Sequence, residues 1–245
     1  MTKARFKRTK IVATLGPACN SKTKLKNLIR AGVNVFRINF SHATYDEVDH
    51  YIDIINELNK ELESNVAVLA DLQGPKIRLR NMHSNVSIKK GEIISFDCKN
   101  HFIGDKSKAS ISYPDFAKDV KKGDKVLVDD GKLIFEVLST DKKSIVKLKN
   151  IQGGIISSRK GINLPNTKIS TPSLTEKDKK DLFFAISKEV DWVALSFVRN
   201  ARDMQNLREI IEKKSDEKIP IIAKIEKPEA IDSIEEIIQN SDGIM

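Results

Sequence analysis

Apolar residues fall along this chain in two alternating rhythms. Short apolar runs closed by a polar residue or a glycine alternate with longer stretches whose apolar positions recur every three or four residues. The runs KIVATLG (10–16), VNVFRINF (33–40), AVLADLQ (67–73), DWVALSF (191–197) and PIIAKIE (220–226) predict strands. Helices are predicted over 21–32, 44–62, 175–190, 201–214 and 227–240. The second shows its stripe plainly, through Val48, Ile52, Ile55 and Leu58. Ser21 supplies an N-cap, Gly32 a C-cap, and Pro228 sits in a first turn. The last residues, SDGIM, read as the start of a sixth strand. Short apolar strands alternating with helices imply an α/β protein with a parallel sheet.

The middle of the chain has a different period. VSIKKGEIISF, GDKVLVDDGKLIFEVL and SIVKLKN read as short strands joined by Gly and Asp turns, with DDG at 129–131 as a hairpin signal. This predicts a small all-β domain over 75–165, inserted between parts 1–74 and 166–245 of the α/β domain. Eight strand–helix units, typically in ~250 residues, close a barrel. With 75–165 given to the insert, five units and the start of a sixth remain, so a barrel would stay open. An open doubly wound sheet would also accommodate that number. A chain that stops just inside a strand is expected to be truncated.

Composition narrows the class. Of 245 residues, 40% are hydrophobic and 31% charged, as in an ordinary globular protein. No apolar run reaches the length of a membrane span. The basic start MTKARFKRTK is followed by too short an apolar run for a signal peptide. Cys19 and Cys98 are far apart and have no metal-ligand spacing, which fits free thiols in a reducing compartment. A cytoplasmic location is expected. The charge is uneven: residues 75–165 hold 19 Lys and Arg against 10 Asp and Glu, which is the whole net +9. That segment is suited to phosphates or nucleic acid, or is a solvated lysine-rich surface.

In parallel α/β folds the carboxyl ends of strands carry the chemistry. Here those ends offer Arg37, Asn39, Ser41 and His42, then Asp71, then Ser196 and Arg199, then Lys224 and Glu226. Any one of them would serve as a polar strand closure; together they set bases and acids on one rim. Lys224 and Glu226, two apart on a strand, face the same side. Two opposite charges in an apolar strand are costly unless they share a task. A carboxylate there can hold Mg²⁺ against a phosphate while the lysine neutralises a phosphoryl group in transfer. The alternative is an internal ion pair.

These stretches resemble the pyruvate kinase family. KIVATLGPA is similar to its opening strand, and AGVNVFRINFSHAT to its second strand with the Arg-x-Asn-x-Ser-His set. DLQGPKIR, SSRKGINLP, DWVALSFVR and IPIIAKIEKPEAI follow in family order, and SDGIM resembles the lead-in to an acidic Mg²⁺ motif. The resemblance runs through the whole chain and covers about the first half of a family member. It implies an incomplete parallel (β/α)8 TIM-type barrel whose inserted β-domain is a lid. It further implies phosphoryl transfer from phosphoenolpyruvate to ADP, giving pyruvate and ATP. Arg37 would bind the phosphoenolpyruvate phosphate and Lys224 the phosphoryl group in flight and the enolate. Asn39, Phe40, Ser41, His42, Arg78 and Lys160 would meet the nucleotide phosphates. Glu226 would ligate Mg²⁺ or Mn²⁺, and Asn39, Ser41, Asp71 and the Leu72 carbonyl would line a K⁺ site.

Lys76 departs from the potassium-dependent members, which typically carry Glu there. Potassium-independent relatives typically carry Lys, often after Leu and Gln as Leu72 and Gln73 stand here, so a tethered ammonium would make K⁺ dispensable. The second Mg²⁺ carboxylate of the family would follow Met245, so the 245-residue chain alone is expected to be inactive. A homotetramer is implied for the full-length protein, with no nucleic-acid or membrane partner. Two rival readings stand beside this one. One is a pyruvate- or phosphoenolpyruvate-handling lyase on the same barrel. The other is a nucleic-acid module in the basic insert, though its few aromatics (Phe96, Phe102, Tyr113, Phe116, Phe135) give poor stacking readout.

Overall fold

Two separate hydrophobic cores organise the chain. In the computed structural model, which describes residues 8–165 and 167–245, they belong to two units. One comprises Met1–Gly74 with Ser173–Met245, the other Pro75–Pro172.

The first unit is built on six parallel strands. Across the sheet they run Val12–Thr14, Val35–Asn39, Ala67–Asp71, Trp192–Leu195, Ile221–Ala223 and Gly243–Ile244, each beside its neighbour in chain order. A doubly wound sheet reverses its strand order at a switch point. This sheet has no reversal, and it curls as an incomplete TIM-type barrel. Alternation sets its two faces: Phe36 and Ile38 are buried on the core side, while Val35, Arg37 and Asn39 take the other. On the strand face opposite the core side, Val12, Val35, Leu69, Trp192 and Ile222 line a cavity of about 370 Å³.

The helices Lys22–Ala31, Tyr45–Glu61, Glu176–Ser187 and Ala201–Glu212 fall within the predicted ranges. Tyr45–Glu61 starts at a capping box between Thr44 and Glu47 and buries Val48, Tyr51, Ile52, Ile54, Ile55 and Leu58. Each such side chain contributes roughly 1.5–3 kcal/mol when fully buried. Glu176–Ser187 starts at a second capping box, between Thr175 and Asp178. The single helix expected over 227–240 is instead two, Pro228–Asp232 and Ile234–Gln239. Ser233 leaves the helical region between them, at φ −114 and ψ 20, where a serine readily trades helical bonds for local ones.

The second unit is antiparallel except at one edge. Its seven-stranded sheet runs Ile77–Arg78, Gly161–Asn163, Lys125–Val128, Leu133–Thr140, Ile145–Gln152, Ile93–Asp97, Lys108–Ser110. Val86–Ile88 and Gly154–Ile156 form a separate pair, and Phe116–Asp119 is a short helix. The rings of Phe116 and Phe135 pack 6.3 and 5.8 Å from that of Phe96 at the centre. The DDG turn forms the expected hairpin: Asp129, Asp130 and Gly131 all have positive φ (53, 55 and 87) between Lys125–Val128 and Leu133–Thr140. VSIKKGEIISF is two strands, turned at Gly91. The unit runs on to Pro172, past the 165 expected from sequence. Ile169 is part of its core, Thr167 Oγ1 donates to Asp124, and Ser170 donates to Asp119.

Candidate active site

In the first unit, polar side chains stand near or just past the carboxyl ends of several strands, and the pairing register brings them together. Asn39 and Ala194 both register with Asp71, and Leu195 with Ala223. The result is a charge cluster at the carboxyl ends of four adjacent strands.

Asp71 is its centre and only 1% exposed. Its Oδ2 accepts from Arg37 Nε at 2.8 Å and Nη2 at 2.5 Å. Lys224 Nζ lies 3.1 and 3.2 Å from the two Asp71 oxygens and donates to Ser196 Oγ at 2.9 Å. Glu226 Oε1 is 3.5 Å from the same ammonium. A buried, unpaired carboxylate would cost several kcal/mol. Here two cations and two carboxylates balance. Arg37 Nη1 also donates to Thr14 Oγ1 at 2.8 Å, so three strands fix one guanidinium plane. Ser196 Oγ donates to the Leu72 carbonyl at 2.7 Å.

Glu226 is the exposed member, with 36% of its side chain accessible. Its Oε2 accepts the Phe197 N–H at 3.0 Å. Phe197 holds that amide in place from a left-handed backbone, φ 57, which a bulky residue adopts only under constraint. Two contacts supply the constraint. Ser173 Oγ lies 2.8 Å from the Phe197 carbonyl and 2.8 Å from Asp203 Oδ2. Gly74, itself at φ 68, packs so close that a Cβ would sit 2.8 Å from Phe197 Cδ2 and 3.0 Å from Ser196 Cβ. Gly74 N–H donates at 3.0 Å to Asp178 Oδ1, a wholly buried carboxylate whose Oδ2 accepts from Thr175 N–H and Oγ1.

From sequence Gly74, with Pro75, reads only as the break into the insert, and Ser173, Asp178 and Phe197 carry no site signal. The T-x-x-D spacing of Thr175 and Asp178 was the one visible signal, and it reads only as a cap. Lys227 was also passed over as a helix start. It is 5% exposed, and burial pushes its ammonium below the usual lysine range.

The turn after the second strand is held by Asn39 Oδ1, which accepts from Ser41 N–H at 3.0 Å, and by His42 N–H on the Asn39 carbonyl. Phe40 turns inward. Its ring is 1% exposed in the core, its N–H donates to the Asp71 carbonyl, and its own carbonyl accepts from Lys177 Nζ. It anchors the turn that presents its neighbours. Arg199 is engaged by Asp203, through its own N–H at 3.0 Å and its guanidinium at 3.3 Å.

The remaining candidates belong to the second unit. Gly161 registers with Arg78, and Lys160 stands immediately before the strand that Gly161 begins. Lys160 Nζ pairs with Asp129 at 3.0 Å and holds that carboxyl below the usual range. Arg78 Nη1 donates to the Arg159 carbonyl at 3.0 Å. Lys76 is half-buried immediately before the strand Ile77–Arg78.

Among the described residues no group of three or more His, Cys, Asp or Glu could hold a metal ion by itself. Oxygen donors suited to a hard cation are nevertheless present. Glu226 has one oxygen oriented by a backbone amide, the kind of outer support metal ligands use. Asp71 and the Leu72 carbonyl already accept from Arg37, Lys224 and Ser196. No helix of the described residues is long and apolar enough to cross a membrane.

Residues 6–245 match the family profile described as pyruvate kinase, barrel domain. The chain is 41% identical over 241 residues to a pyruvate kinase of Clostridium perfringens, covering 98% of this chain and 51% of the relative. It is 39% identical over 241 residues to that of Geobacillus stearothermophilus, covering 98% of this chain and 41% of the relative. A crystal structure of a pyruvate kinase from Cryptosporidium parvum superposes with a TM-score of 0.91 at 33% identity, over 97% of this chain and 50% of the other. The chain thus spans about 41–51% of the length of these relatives.

Proposed function

The chain belongs to the pyruvate kinase family, and from that premise we propose that the whole protein transfers a phosphoryl group from phosphoenolpyruvate to ADP. The observation that carries this reading is the buried Asp71 shared by Arg37 and Lys224, with Glu226 3.5 Å beyond the ammonium. Two cations preorganised on one carboxylate face the strand ends, where a substrate phosphate would replace part of their partnership with Asp71.

Arg37 binds the phosphoenolpyruvate phosphate with its planar fork, already aimed by Asp71 and Thr14. In the reaction the bond between phosphorus and the enol oxygen breaks, and one to the terminal phosphate oxygen of ADP forms. Lys224 stands where negative charge develops on the departing enolate and on the phosphoryl group. The enolate carbon then takes a proton to give pyruvate. Glu226 is the carboxylate that would hold Mg²⁺ or Mn²⁺, which when bound neutralises phosphate oxygens. Ser41 and His42, on the turn that Asn39 and Phe40 anchor, meet the nucleotide phosphates together with Arg78 and Lys160.

Asn39, Ser41, Asp71 and the Leu72 carbonyl form the monovalent-cation site, and Lys76 makes K⁺ dispensable there. The second unit is the lid of the barrel, the active protein is a cytoplasmic homotetramer, and neither nucleic acid nor membrane is a partner. The 245-residue chain by itself is inactive, in keeping with an open sheet that has two edges.

A coupled assay of the whole protein tests the reading: ATP and pyruvate should appear together from phosphoenolpyruvate and ADP. Pyruvate released without ATP, or turnover indifferent to ADP, would favour the lyase.

A further inference from the structure

The second unit has a pocket of about 460 Å³ of its own, on which Arg78, Arg80, Arg159, His101, Phe102 and Ile103 converge. No Asp or Glu lines it. Among the described residues none of the three arginines makes an ion pair with a carboxylate. Two are tethered to backbone carbonyls instead. Arg78 Nη1 donates to the Arg159 carbonyl at 3.0 Å and Arg80 Nε to the Ile111 carbonyl at 3.1 Å. A carbonyl fixes a guanidinium's direction without cancelling its charge. Each fork keeps other N–H donors for a ligand.

Strand period supports the convergence. Arg78 and Arg80 are two apart, so they fall on one side of the extended chain. Arg159 is tied in by its N–H, which donates to the Arg80 carbonyl at 3.4 Å. In the same lining, Ile103 is 51% exposed, and the ring of Phe102 takes Lys108 Nζ 5.0 Å from its centroid. Like charges gathered with no acid among them repel one another, and an anion relieves that repulsion. The volume is that of a small-molecule site.

We propose that this pocket is an anion site of the second unit in its own right. Its ligand class is a small molecule carrying a phosphate or diphosphate, held by Arg80 and Arg159 with Arg78, its apolar part resting on Phe102 and Ile103. The site needs neither Lys224 nor Glu226. Of its residues only Arg78 is shared with the nucleotide reading above, and Arg80 and Arg159 distinguish the two.

The test uses inorganic pyrophosphate as ligand and the 245-residue chain, in low salt without divalent metal. Binding is followed by calorimetry and by the arginine Nε–Hε resonances. Wild type should bind one pyrophosphate, with the Arg80 resonance shifted. Arg80→Gln and Arg159→Gln should each weaken binding about tenfold or more. Lys142→Gln, on a lysine of the same unit outside the pocket, should leave it unchanged. Equal weakening by all three would mean diffuse surface charge and overturn the site. In the whole enzyme, Arg80→Gln should leave KM for ADP within about twofold. A rise in KM for ADP matching the loss of pyrophosphate binding would reduce the pocket to part of the nucleotide site and overturn its independence.

Discussion

The two units differ in how they use their charged residues, although in the second Asp129 pairs with Lys132 and Lys160, and Glu92 with Lys106. In the barrel unit cations meet carboxylates: Arg37 and Lys224 on Asp71, Arg199 on Asp203, Lys177 on Asp181. In the inserted unit many acids are committed to turns. Asp97 accepts from Lys99 and Asn100 N–H, Asp105 from Ser107 and Lys108, and Asp141 from Lys143, Ser144 and Ile145. Such acids shape loops and are not available to guanidinium groups. How much of that segment's basic excess faces a ligand depends on where its carboxylates are used as well as on their number. A net charge read from sequence therefore says less than the list of partners does.

The largest effect expected comes from unbalancing the barrel cluster. Lys224→Met in the whole enzyme should lower kcat on the order of 10²–10³-fold and change substrate affinity far less, because its charge matters most where charge develops. Steady-state rates over both substrates measure this split. A loss of less than about tenfold in kcat would leave Lys224 an ion-pair partner only.

Next is a charge reversal in the inserted unit, at Lys76 just before the strand Ile77–Arg78. The wild-type rate in tetramethylammonium buffer should be unaffected by KCl. Lys76→Glu should depend on KCl, by on the order of tenfold, since it removes one unit charge and adds its opposite. A wild-type enzyme idle until KCl is added would exclude the lysine as a stand-in for the cation.

Gly74→Ala tests the support behind the cluster, not the cluster itself. The new Cβ would meet Phe197 and Ser196 at a positive φ, so about 1–3 kcal/mol of stability should be lost. The Phe197 amide would move from Glu226, and in the whole enzyme the metal concentration for half-maximal rate should rise. Thermal melts and a Mg²⁺ titration read the two parts. Unchanged metal dependence would confine Gly74 to folding.

The smallest effect belongs to the turn acids. Three backbone amides hold the Asp141 carboxyl at about 2, below its ordinary 3.8. A depressed carboxylate stabilises the fold above its ordinary pKa, and that contribution is lost as pH falls through about 2. Asp141→Asn should therefore melt slightly below wild type at pH 5 and approach it as the pH nears 2. A gap constant over that range would contradict the assignment.

Much of this was legible in the chain itself. Arg37, Asp71, Lys224 and Glu226 announce themselves because a charge closing an apolar run is unusual, and strand ends of a parallel sheet converge. The sequential order of six strands was not legible, since a doubly wound sheet has the same rhythm. Ile77–Arg78 and Gly161–Asn163 are too short to carry any period. That the Phe40 ring lies in the core is not visible in a motif of consecutive residues, because alternation sends every second one inward. The Gly74–Asp178 bond joins residues 104 apart, and neither residue type betrays it.

That bond bears on how the insert is accommodated at all. One buried carboxylate takes the N–H of the residue where the chain leaves the barrel unit and, on its other oxygen, that of Thr175 just after the return. The two stalks are pinned together on the host, so the length of chain between them adds only a logarithmic entropy cost. Gly74 and Ser173 are thus a natural graft junction. A module whose own ends lie a few ångströms apart should be exchangeable there for Pro75–Pro172, with the host's strand register left as it is.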